Sequence, residues 1–117
     1  MQLSEIARIL NASFIIGEEN AAKEITKVGS SDLMSDILAA DSDGSLILTG
    51  LATQQVVRTA SIAGASAIVF IRGKIPPQEV IELSMEENLP LLTTSLSMFI
   101  SSGRLYQHGL NGLTNQR

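Results

Sequence analysis

SLILTGLATQQVVRTASIAGASAIVFIRG, residues 45–73, is the stretch on which the fold turns. It begins and ends with compact apolar runs, SLILTG (45–50) and SAIVFIRG (66–73), each bounded by turn residues. Short runs that are apolar at successive positions, rather than alternating, belong to strands covered on both faces. Between them Val56, Val57, Ala60 and Ala63 share one face of a helix over 54–63, with Thr53 placed to cap it. Strand, helix and strand in succession predict a right-handed βαβ crossover and a parallel pair.

The same alternation continues outward. Upstream, Leu3, Ile6, Ala7 and Leu10 have the spacing of an amphipathic helix, and FIIG (14–17) and EITKV (24–28) read as short strands around a turn-like GEEN. DLMSDILA (32–39) predicts a short helix and DSDG (41–44) a turn. Downstream, PPQEVIELSMEEN (76–88) predicts a helix that tolerates proline in its first turn and turns Val80, Ile81, Ser84 and Met85 inward. LPLLTTS (89–95) is a third short strand, LSMFISSGRLYQHGL (96–110) a closing helix, and NGLTNQR (111–117) a disordered tail. The expectation is an α/β fold: one compact domain over 1–110, a mostly parallel sheet with βαβ crossovers, and an N-terminal helix plus short strands.

Composition narrows the function classes. The chain has 117 residues, of which 44% are hydrophobic and only 17% charged, against an average near 25% charged. Such a shortfall predicts apolar surface covered by a second subunit, hence a homodimer. A net charge of −4, with few and scattered lysines and arginines, argues against a nucleic-acid partner. Without cysteine there is no disulfide, thiolate metal site or cysteine nucleophile. No apolar run approaches the roughly 18 residues that span a bilayer, and MQLSEIARIL lacks the basic flank and apolar core of a signal peptide, so a cytoplasmic location without a membrane partner is expected.

Ligands of open parallel sheets bind beyond the carboxyl ends of the strands. Three such ends are readable: Thr49-Gly50, Arg72-Gly73-Lys74 and Thr93-Thr94. On neighbouring strands they would form one rim of hydroxyls, two cations and helix N-termini, a cradle for a small anionic ligand. Neither G-x-x-x-x-G-K-[ST] nor G-x-G-x-x-G occurs, so no phosphate-loop or dinucleotide cofactor motif is present. DSDGS lacks the later glycine and glutamate of a calcium loop, and no other metal site is read. His108, the single histidine, suits the negative end of a helix and has no partner for a triad. No catalytic residue is assigned.

VGSSDLMSDIL (28–38) concentrates serines and aspartates before an apolar segment. Capping by Ser30 or Ser31, with Asp32 complementing the helix dipole and Leu33, Met34 and Ile37 facing the core, explains it most simply. Asp32 and Asp36 alone supply too few oxygens for a hard cation. Their position at a βα junction keeps Ser30, Ser31 and Asp32 as secondary ligand candidates.

The span from EITKVGSSDLMSDIL through SLILTGLATQQVVRTASIAGASAIVFIRGKIPPQEVIELSMEENLPLLTT to LSMF resembles the DRTGG domain, a small α/β module. Members occur as inserts in CBS-containing pyrophosphatases and some phosphotransacetylases, and a related fold forms the N-terminal domain of HPr kinase/phosphorylase. The chain departs from the signature: Leu51-Ala52 stand where Asp-Arg would begin it, and Arg72-Gly73 where a glycine pair closes the next strand. The resemblance implies a non-catalytic regulatory or protein-interaction module associated with dimerisation. An alternative is a sensor of a phosphorylated metabolite or nucleotide at the strand-end rim. A remote one, an HPr-kinase-like enzyme fragment, is opposed by the missing phosphate loop.

Overall fold

Every residue of the two apolar runs that enters the sheet is buried, because helices cover the sheet on both faces. The computed structural model of the protein describes residues 1–113. In chain order the elements are α1 (Leu3–Ile9), β1 (Ser13–Ile16), a 3-10 turn (Glu18–Asn20), β2 (Lys27–Ser30), α2 (Met34–Ala39), β3 (Ser45–Thr49), α3 (Gln54–Ala63), β4 (Ala67–Phe70), α4 (Gln78–Glu86), β5 (Leu91–Thr93), α5 (Met98–Gln107) and β6 (Asn111–Gly112). Among the described residues the sheet has six strands in the order β1-β5-β4-β3-β2-β6. Its neighbours are parallel except at the β1 edge, where β1 runs antiparallel to β5.

Side chains of successive strand residues point to opposite faces, and two apolar layers result. Leu46, Leu48, Ala67, Val69 and Leu92 pack with α1 and with Leu105 of α5. Ile47, Ile68, Phe70 and Leu91 pack with Met34, Ile37, Val56, Val57, Ala60 and Val80 of α2, α3 and α4. The predicted α/β domain with parallel crossovers is the one observed.

Several local expectations shift. The second strand lies at Lys27–Ser30 rather than 24–28, and Glu24 makes only an isolated antiparallel bridge to Gln2. Ile25 is buried, but its N–H donates to the Met1 carbonyl, so the ladder with β3 starts at Lys27, opposite Ser45. The helix expected from Asp32 begins at Met34, and neither Ser30 nor Ser31 caps it: Leu33 occupies the cap position with extended backbone and is 59% exposed. Met34 and Ile37 do face the core. Thr53 caps α3 as expected, its Oγ1 accepting from Val56 N–H, and the structure adds a like cap on α5, where Ser97 Oγ accepts from Ile100 N–H. In α4 Val80 and Ser84 are buried, whereas Met85 points outward toward the turn at Gly17–Asn20. Asn111–Gly112, assigned to the tail by sequence, pair with Lys27 and Val28. The rest of that tail, 114–117, lies outside the described residues.

Candidate functional site

Because β3, β4 and β5 are adjacent and parallel, their carboxyl ends do meet on one rim. Its centre is Gly50, buried at the end of β3. Asp32, brought there by the β2–α2 connection, accepts through Oδ1 from the Gly50 N–H at 2.7 Å and from the Thr49 hydroxyl at 2.9 Å. The residue read as a dipole partner for α2 is therefore tied to the neighbouring strand. Thr49 is fully buried, and its hydroxyl also accepts from Leu51 N–H, so it orients Asp32 and has no face toward a ligand.

Across Gly50 stands Arg72. A Cβ on Gly50 would lie 3.2 Å from Nη2 of Arg72 and 3.5 Å from Oδ2 of Asp32, so both side chains reach over Gly50 and a larger residue there would press on the arginine. Arg72 and Gly73 both adopt left-handed backbone, with φ of 55° and 70°. Glycine tolerates that region without steric cost, which explains why a glycine pair suits this position. Here an arginine occupies the first of the two places, held by Arg72 N–H donating to the Leu96 carbonyl at 2.9 Å. The guanidinium is exposed and makes no ion pair among the described residues, and Lys74 follows it on the same loop, also exposed.

Loops after β4 and β5 leave toward opposite faces, one to α4 and the other to α5, which makes their junction a topological switch point. That crevice is closed. Gly73 N–H donates to the Thr94 carbonyl at 2.7 Å, and the Thr93 hydroxyl donates to the Lys74 carbonyl at 2.8 Å. The Thr94 hydroxyl turns into the interior and donates to the Leu10 carbonyl at 2.6 Å. Thr49, Thr93 and Thr94 thus each give their proton to the protein, and the groups left facing solvent are those of Asp32, Arg72 and Lys74. Thr94→Val should lower stability by about 1–2 kcal/mol, by stranding a buried carbonyl, without changing ligand affinity. Denaturant titration and binding on the same sample would check both halves.

Ser31 forms a local turn in which Leu33 N–H donates to its Oγ at 2.9 Å. Ser30 leaves the rim altogether: its Oγ is 2.8 Å from Oγ of Ser102 on α5. Beside that pair lies a cleft of about 320 Å³ lined by Val28, Phe99, Gly103, Leu105, Tyr106 and Leu110, among others. Phe99 and Tyr106 flank it at 83% and 73% exposure. The sequence reading missed this surface. Its signal was a second apolar stripe on α5, Phe99 and Tyr106 seven residues apart, beside the buried stripe of Ser101 and Leu105. His108 ends the same helix, with Nδ1 2.8 Å from the Arg104 carbonyl, as a C-terminal histidine should. Among the described residues no group of three or more His, Asp or Glu side chains converges to hold a metal, and no helix is long and apolar enough to cross a membrane.

These features define a three-layer α/β module built on one mostly parallel sheet, with a mixed-charge rim at the strand ends. The family model of the DRTGG domain matches residues 5–107, and the chain belongs to the DRTGG domain family. A crystal structure of the CBS and DRTGG domains of the regulatory region of Clostridium perfringens pyrophosphatase, complexed with its activator diadenosine tetraphosphate, has a similar fold. The TM-score is 0.74 at 23% identity, over 91% of this chain and 46% of that one. The present chain therefore spans about half the length of that neighbour. No curated protein matches its sequence.

Proposed function

We propose that this chain is a regulatory ligand-binding module whose rim takes a phosphorylated metabolite or nucleotide as a signal and performs no chemistry on it. The observation that carries this reading is Arg72: its Nη2 lies over the buried Gly50 at the end of β3, and its guanidinium has no protein counter-ion among the described residues. Unpaired guanidinium groups on a rigid frame are suited to phosphate oxygens, which they engage bidentately. The N-terminus of α3, a short connection beyond Gly50, adds a favourable dipole. That a fold neighbour comes from a regulatory region complexed with a nucleotide activator supports the same class of ligand. A thermal-shift screen of nucleotides and sugar phosphates tests it. A ligand at about 100-fold its dissociation constant stabilises by ~2.7 kcal/mol, on the order of 10 °C for a domain of this size. Absence of any shift across such a panel would reject the reading.

A second property is favoured by the apolar surface of α5. Phe99, Ile100 and Tyr106 stand exposed beside the cleft at Val28, Leu105 and Leu110, and a chain with so few charges gains most by covering them. A homodimer in which each Phe99 enters the partner's cleft would do so. Aromatic anchors in apolar pockets typically contribute 2 kcal/mol or more, so Phe99→Glu should weaken dimerisation by at least about thirtyfold. Sedimentation equilibrium would measure it, and a parent protein that stays monomeric at all concentrations would remove the dimer from the account.

A further inference from the structure

The rim holds two charges that do not meet. Asp32 Oδ2 and Arg72 Nη2 both approach one point above Gly50, at 3.5 Å and 3.2 Å, yet they form no ion pair. Flexible side chains of opposite charge at this range would ordinarily close the gap. The carboxylate is held back because the Gly50 N–H and the Thr49 hydroxyl both donate to Oδ1, while Oδ2 has no donor among the described residues. The arginine's backbone is anchored through Arg72 N–H to the Leu96 carbonyl, and its exposed side chain reaches over Gly50 from there without pairing with the carboxylate. A site for a bare anion would have no use for an exposed carboxylate beside its cation, since it repels phosphate.

We infer that the ligand of this rim carries a free hydroxyl next to its phosphate, as a sugar phosphate does, the hydroxyl donating to Oδ2 of Asp32 and the phosphate facing Arg72. This rests on the rim reading proposed above and adds the ligand's second recognition element. An acceptor-only oxygen exposed at the rim is free to exchange water for a ligand's donor, and a carboxylate matches a sugar hydroxyl well. An ammonium donor is disfavoured because Arg72 and Lys74 already place two cations on the loop beside it. Asp32 is then a specificity determinant: it accepts no proton and breaks no bond.

The test compares ribose 5-phosphate with methyl phosphate, a monoester without a hydroxyl, by calorimetric titration of the parent and of Asp32→Asn. The asparagine keeps Oδ1 as acceptor for Gly50 and Thr49, and those two donors force its amide nitrogen to the place of Oδ2. The parent should prefer ribose 5-phosphate by about tenfold or more, the ratio of one charge-assisted hydrogen bond. Asp32→Asn should erase the preference and bind methyl phosphate at least as tightly as the parent. Equal affinity of the two esters for the parent, or a preference that survives in Asp32→Asn, overturns this inference and leaves the rim as an anion site. Failure of both esters to bind the parent overturns the rim reading itself, and this one with it. If Asp32→Asn does not fold, the parent's ratio alone decides.

Discussion

Arg72→Gly is expected to weaken phosphate-ester binding by about ten- to hundredfold while leaving the fold as stable as the parent, or up to about 1 kcal/mol more stable. The two effects have separate causes. Binding falls because the rim loses the Arg72 guanidinium, and a charge-assisted hydrogen bond to phosphate contributes roughly 1.5–3 kcal/mol. Stability holds because φ of 55° is a left-handed conformation that side chains resist and glycine adopts freely. Among the described residues the guanidinium makes no ion pair whose loss would offset that gain. Arg72→Lys should fall between, since an ammonium keeps the charge and loses the planar fork. Melting temperature and titration on the same preparation read both effects. Undiminished binding in Arg72→Gly would remove Arg72 from the site.

Phe70→Ala carries the largest expected stability loss, about 3–5 kcal/mol. Phe70 is fully buried at the end of β4, and it packs with Ile68 on the face covered by α3 and α4. Both faces of this strand are enclosed, so the surrounding residues have little room to collapse into the void. Domains of this size are stable by only about 5–15 kcal/mol, so the variant would sit near the folding threshold. A fall in denaturant midpoint at unchanged slope is the expected signature. The same change should loosen the rim, because the Phe70 carbonyl receives the Thr94 N–H that aligns the β4 and β5 ends. A loss under about 1 kcal/mol would mean that the α3–α4 layer is not packed as described.

Much of this architecture is legible in residues 45–73, because runs that are apolar at every position can be buried only between two layers, and the helix between them has one apolar face. The cap at Thr53 and the C-terminal role of His108 are similarly local. Edges were less readable. β2 starts three residues later than the apolar pattern suggests because the Ile25 N–H bonds to Met1, a partner 24 positions away. A two-residue strand such as β6 carries no pattern at all and exists through its ladder with β2.

The candidate site divides along the same line. Sequence alone determined that the ends of three apolar strands would carry Thr49-Gly50, Arg72-Gly73-Lys74 and Thr93-Thr94, because strand ends follow from local periodicity. Only the tertiary structure decided which of these groups face solvent at the rim. It turned the hydroxyls of Thr49, Thr93 and Thr94 onto Asp32, Lys74 and Leu10, closed the β4–β5 crevice, and brought Asp32 across to Gly50. A hydroxyl's direction depends on which acceptor the fold places within about 3 Å of it, and those acceptors lie from 17 to 84 positions away in the chain.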